Sequence, residues 1–192
     1  MSGSGPVTRL IEDWQRGVAG AENALFEALY HKLHGMALNC VRNDPARRTL
    51  GASGLLHEAY LRFRRAERLE VTDSEHFVRI AGQVMRKILV DRARARKALK
   101  RDGGNPAEAG DLEVLVAQEA EADEIIAVDR ALEQLASLSP RLARLVELRH
   151  FGGFSEEEAA AVLHLSVRQV RRDWREARTR LRGFIDGNGE ES

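Results

Sequence analysis

Five arginines and a glutamine (Arg168, Gln169, Arg171, Arg172, Arg175 and Arg178) crowd into one short stretch near the C-terminal end of the chain. A guanidinium offers a planar fork of donors that fits a phosphate or the guanine edge, and a glutamine amide pairs a donor with an acceptor as adenine requires. Asp173 and Glu176 are the only acids between Val167 and Arg182. A merely solvated face would intersperse acids, so the imbalance points to a polyanion. A second basic run, Met85 to Arg101, holds eight Lys or Arg against Asp91 alone. Within it Arg86, Lys87, Arg94, Lys97 and Arg101 lie close enough in helical angle to form a phosphate-binding stripe, and eight bases against one acid exceed what a helix C-terminus needs.

The polar segment Glu70, Val71, Thr72, Asp73, Ser74 precedes that run and could hold an extruded base. Tyr60, Phe63 and Phe77 could stack on unpaired bases, but each falls on an apolar stripe and reads first as core. Metal or covalent chemistry finds little support. Glu147 and His150 have the Glu-x-x-His spacing of a di-iron bundle without a second such pair. His31 and His34 share a helical turn without an evident third ligand. Cys40 has no nearby activating base in the sequence. Gly152-Gly153 is a helix stop rather than a phosphate loop, since no Lys-Ser/Thr follows. No cofactor, no metal and no catalytic residue are expected.

The elements that must carry these groups are helices. Ser155 with Glu158 and Ser166 with Gln169 fit capping boxes, separated by a short apolar helix and a turn at His164-Leu165. Beyond Ser166, Val167, Val170, Trp174, Ala177 and Leu181 keep the three/four spacing of one buried stripe. A short helix, a turn and an arginine-faced second helix describe a helix-turn-helix whose second helix would enter a DNA major groove. Upstream, helical periods run over Val7 to Arg16 behind a Thr8 cap, Ala21 to Arg42, and a helix capped by Ser53 that carries Leu55, Leu56, Ala59, Tyr60 and Phe63. Glu67 to Asp73 reads as a loop. A Thr72–Glu75 capping box opens a long helix to Arg101, which Asp102-Gly103-Gly104-Asn105-Pro106 ends. Helices return over Ile125 to Leu138 and, behind Ser139-Pro140, up to Gly152-Gly153. No stretch alternates as a half-buried strand does.

The expected fold is therefore all-α, with two small helical domains, residues 6–101 and 124–186, joined by an acidic, flexible linker over 102–123. The net charge of +0 conceals opposed blocks, because Ala107 to Glu124 carries seven acids and no base. An apolar fraction of 43% supports real cores. A lone cysteine permits no internal disulfide and fits a reducing cytoplasm. Neither a membrane-length apolar run nor a signal-peptide core is found, so no membrane role is expected. Met1 to Gly5, made of Met, Ser and Gly alone, reads as a disordered start.

From about Val7 to Leu181 the chain resembles the extracytoplasmic-function (ECF) sigma factors, initiation subunits of bacterial RNA polymerase. LLHEAYLRF, Leu55 to Phe63, resembles the family helix that docks on the polymerase clamp. HFVRIAGQVMRKILVDRARARKALKR, His76 to Arg101, resembles the helix that recognises and opens the minus-ten element. Ser139 to Leu181 resembles the domain whose helix-turn-helix binds the minus-thirty-five element. The three blocks stand in the family's order and at its spacing. Gly54 departs from the acid common before the clamp-binding helix, and Arg86-Lys87 occupy a place where asparagine is common.

The resemblance implies transcription initiation without covalent catalysis, with core polymerase and promoter DNA as partners and an anti-sigma protein as a further partner the family allows. It places Leu55, Leu56, Glu58 and Arg62 on core polymerase. Glu70, Thr72, Asp73 and Ser74 would take a flipped minus-ten base, with Arg86, Lys87, Arg94 and Lys97 on the phosphates. Arg168, Gln169, Arg171, Arg172, Arg175 and Arg178 would face the minus-thirty-five major groove. A chain closing shortly after Leu181 implies no additional C-terminal sensory domain. The rival readings are a free-standing helix-turn-helix regulator, which leaves LLHEAYLRF without a task, and a helical-bundle metalloenzyme built on His31, His34, Glu147 and His150.

Overall fold

Helices begin where a side chain can answer the unpaired N–H groups of a first turn. In the computed structural model, which describes residues 6–41, 51–65, 71–101 and 112–187, every regular element is helical. These are α1 (Pro6–Gln15), α2 (Ala21–Val41), α3 (Gly51–Arg65), α4 (Ser74–Arg101), α5 (Leu112–Leu138), α6 (Pro140–Val146), a π-helical turn (Glu147–Phe151), α7 (Glu156–Leu163) and α8 (Val167–Ile185). The fold is all-α, as the periodicity requires.

The Ser155–Glu158 box closes in both directions, at 3.1 Å to the serine hydroxyl and 2.7 Å to the glutamate. Ser166 accepts from the Gln169 N–H at 3.2 Å, without the reciprocal bond. Three expected caps differ. Thr8 and Ser53 lie inside α1 and α3 rather than ahead of them. Burial of Ala52 in the core favours starting α3 two residues earlier than Ser53. At α4 the cap is Asp73, not Thr72: its Oδ1 accepts from the His76 N–H at 2.8 Å, while the Thr72 hydroxyl donates to its Oδ2 at 2.9 Å. An ionised carboxylate is the stronger acceptor at the positive end of a helix dipole.

The N-terminal helices close around aromatic rings. Phe63 and Phe77 stack at 5.2 Å, Trp14 meets them edge-on at 6.4 and 6.0 Å, and Phe26 at 5.6 and 5.7 Å. Phe63 and Phe77 are fully buried, so they are core, and the base-stacking alternative for them falls away. The same apolar cluster continues into Leu145, Leu148, Phe154, Ala159, Ala160 and Val170. The C-terminal helices add a second cluster of Leu132, Leu135, Leu142, Ala143, Val146, Phe151 and Ala177.

The π turn makes this junction. Its widened pitch, closed by the Gly152 N–H on the Glu147 carbonyl at 2.9 Å, turns both Leu148 and Phe151 inward. A Cβ at Gly152 would stand 2.6 Å from the Leu148 carbonyl oxygen, which explains the glycine by space alone. Gln83 of α4 donates to Glu147 at 2.9 Å across the same junction.

Part of the acidic stretch is helical. Residues 102–111 lie outside the described residues, but from Leu112 onward the chain is α5, where only its end was expected to be helical. Good helix formers fill this stretch beyond Gly110, and Ala122 is buried.

Candidate nucleic-acid interface

The N-terminal half of α8 projects a set of donors from one face. Ser166, Arg168, Gln169, Arg172 and Arg175 line a single open groove of about 330 Å³. The helix is aimed by its buried stripe, Val170 and Ala177 fully buried with Trp174 and Leu181 partly so, and by the turn from α7. That turn uses His164 in the left-handed region, φ +53°, with the Leu165 N–H on the Ala160 carbonyl at 2.9 Å. Asp173, the one buried acid of α8, lies 3.2 Å from Arg141 and 3.6 Å from Arg172, tying α8 to the start of α6.

Two members of the expected set are elsewhere. Arg171 turns back onto α7, where its Nε donates to Glu156 at 2.6 Å; Arg149 reaches the same carboxylate at 3.4 Å and lies over the Trp174 ring at 4.7 Å. The Arg171 hydrogen bond, stronger than the residual desolvation, holds the Glu156 carboxyl below its usual range and raises Arg171. Arg178 lines a different cavity, about 340 Å³ between α4, α5 and α8. Cys40 lines it too, and burial pushes its thiol up to about 12, which favours the neutral form.

On α4, Arg86, Arg94 and Lys97 turn towards α5 while Lys87 is exposed. Asp129 of α5, itself buried, stands 3.6 Å from Arg86 and 3.5 Å from Arg94, and Asp123 pairs with Lys97. At the start of α4, Glu70 lies outside the described residues. Gln15 of α1 donates to the Val71 carbonyl at 2.7 Å, and the Asp73 and Thr72 side chains are engaged in the cap. Slight burial pushes the Asp73 carboxyl up, but hydrogen bonds from the His76 N–H, the Thr72 hydroxyl and the Glu75 N–H, with the His76 charge, hold it lower overall.

The expected polymerase-binding set splits by burial. Leu55 is wholly buried and Leu56 nearly so; both fill the core and have almost no surface for a partner. Glu58 and Arg62 are at the surface in a four-charge network, with Arg92 on Glu58 at 2.7 Å and Arg62 3.5 Å from Glu58 and 3.0 Å from Asp91. Tyr60 donates to Asn23 at 2.7 Å beside them.

The acidic partners Glu156, Asp123, Asp129 and Asp91 are what the sequence reading missed. The opposed charge of residues 86–101 and 107–124 was the visible signal, but a charge block does not name its partner. Glu147 is occupied by Gln83, and His34 stacks on Tyr30 at 5.6 Å. Among the described residues no three or more His, Cys, Asp or Glu gather as metal ligands, and no helix is long and apolar enough to cross a membrane.

An all-α chain that presents a helix-turn-helix with an arginine-rich second helix belongs to the class of helical DNA-binding proteins. A protein-family model described as ECF sigma factor matches residues 4–186, so this chain is a member of the ECF sigma factor family. That membership makes it a DNA-binding sigma factor acting in transcription initiation, with RNA polymerase and promoter DNA as the partners the family implies. No curated protein matches the chain.

Proposed function

We propose that the chain directs core RNA polymerase to specific promoters by two separate DNA contacts, one in each of the units 6–101 and 124–186, and assists opening at the upstream edge of the bubble. The observation that carries this reading is the convergence of Arg168, Gln169, Arg172 and Arg175 on one open groove along α8. Laid in a major groove, this face reads the minus-thirty-five element through arginine to guanine and glutamine to adenine. Arg171 and Arg178 stand aside from base readout, the first as a brace between α7 and α8.

The minus-ten contact falls to the first unit. Its loop Glu70 to Ser74 receives an extruded base of the non-template strand, and Arg86, Lys87, Arg94 and Lys97 follow the phosphates. Two weak contacts on one tethered chain reinforce each other through effective concentration, so neither unit needs high affinity alone. Polymerase docks on the α3 surface around Glu58 and Arg62, with Leu55 and Leu56 supporting that helix from beneath.

Run-off transcription with bacterial core polymerase on a promoter library tests the whole reading. Start sites sharing two spaced elements, lost on the elements' substitution, are the expected result. A chain that neither binds core polymerase nor directs it to any start site would sink it.

A further inference from the structure

Three of the four α4 cations assigned above to phosphates already have acids on them, and all of those acids come from one helix. Asp129 stands between Arg86 and Arg94 at 3.6 and 3.5 Å, and Asp123, six residues earlier on α5, pairs with Lys97. Asp129 is buried and Arg86 mostly so, so a DNA backbone cannot reach that pair while α5 lies there; Arg94 and Lys97 keep more exposure, with the acids against them. The contact is not an isolated pair of surface charges, worth about 0–1 kcal/mol. Along the same helix Gln83 meets Glu147, and a Cβ added at Gly82 would stand only 3.2 Å from the Phe151 side chain.

We propose that α5 is a built-in competitor of nucleic acid: its Asp123–Asp129 edge imitates a stretch of phosphates and keeps α4 closed until promoter DNA displaces it. The inference rests on the proposed DNA role of α4. A competitor joined to its target by a short connector acts at an effective concentration on the order of millimolar. Free chain therefore binds DNA through α4 only in proportion to the fraction that is open. DNA delivered at high local concentration, as on polymerase, outcompetes the acids because it neutralises the whole stripe at once and releases its counterions.

Two measurements on the full chain test this. First, a fluorescein-labelled single-stranded oligonucleotide is titrated by anisotropy against wild type, Asp123→Asn/Asp129→Asn, and each with Arg94→Gln added. Removing the acids should tighten binding about tenfold or more, corresponding to a closed state that dominates the free chain. Arg94→Gln should reverse much of that gain. Second, a carbodiimide should join Lys97 to Asp123 in the unmodified wild-type chain, read by peptide mass, and the oligonucleotide should suppress the cross-link. This second measurement needs no substitution and so survives a variant that fails to fold.

An unchanged affinity in Asp123→Asn/Asp129→Asn, with Arg94→Gln still weakening binding, overturns the competitor and leaves α4 as a DNA contact. A cross-link indifferent to the oligonucleotide counts against the competitor in the same way. If Arg94→Gln and Lys97→Gln change nothing even without the acids, the DNA role of α4 itself falls.

Discussion

Arg171 donates to Glu156 at 2.6 Å, and this bond fixes the second turn of the recognition helix against the first residue of the helix before it. Arg172, one residue on, faces the groove with Arg168, Gln169 and Arg175. Adjacent arginines thus have separate tasks, one bracing and one reading. Arg172→Ala should cost about 1–3 kcal/mol on promoters that carry its cognate base and much less on those that do not. Arg171→Ala should weaken all promoters alike and only modestly, because its pair is exposed and screened. Competition binding on a set of singly substituted minus-thirty-five duplexes measures both; base-dependent loss in Arg171→Ala would contradict the division.

Lys87 is the α4 stripe cation that faces solvent without an acid partner among the described residues. Its removal breaks no hydrogen bond or ion pair among the described residues, so Lys87→Ala should leave the melting temperature unchanged. Affinity should fall on every DNA sequence, and the slope of log affinity against log salt should flatten by about 0.7–0.9. A titration series over salt concentration gives that slope directly, and an unaltered slope removes Lys87 from the phosphate set.

Asp73 anchors the start of α4, and its carboxyl is held lower than an ordinary aspartate. A depressed folded-state value means that the unfolded chain binds the proton more readily. The stabilisation is therefore fully present above about pH 4, the unperturbed aspartate value, and is lost as pH falls through the folded-state value. Asp73→Asn keeps much of the cap but carries no titrating charge, so its stability should vary less with pH below that point. Thermal melts from neutral to acid pH compare the two; parallel curves would show that the cap does not titrate as described.

Phe77 is wholly buried among Trp14, Phe26 and Phe63. Phe77→Ala should cost about 3–5 kcal/mol of stability through lost burial and a residual cavity. Denaturant unfolding is the measurement. A normal midpoint combined with defective promoter opening would mean that the ring meets DNA after all.

The helices were legible because each carries its own evidence: a three/four apolar stripe, a capping residue and a stop, all within one stretch of chain. Ser155, Ser166 and the His164-Leu165 turn could be read this way because capping is local. Thr72 misled because a neighbouring carboxylate took the cap, and the burial of Leu55 was not legible because an apolar residue on a helix looks the same in sequence whether it feeds a core or a partner. The arginine content of α8 and the opposed charge blocks were equally plain in the sequence.

Alone, the sequence determined an all-helical chain, the place of its helix-turn-helix and the sign of its binding faces, since periodicity, caps and charge are properties of neighbouring residues. Only the tertiary structure decided which arginines are available. Glu156 captures Arg171, Asp129 captures Arg86 and Arg94, and Asp123 captures Lys97, across separations of 15, 43, 35 and 26 residues. Such pairs depend on how helices cross, and helix crossing is set by the packing of buried side chains far apart along the chain.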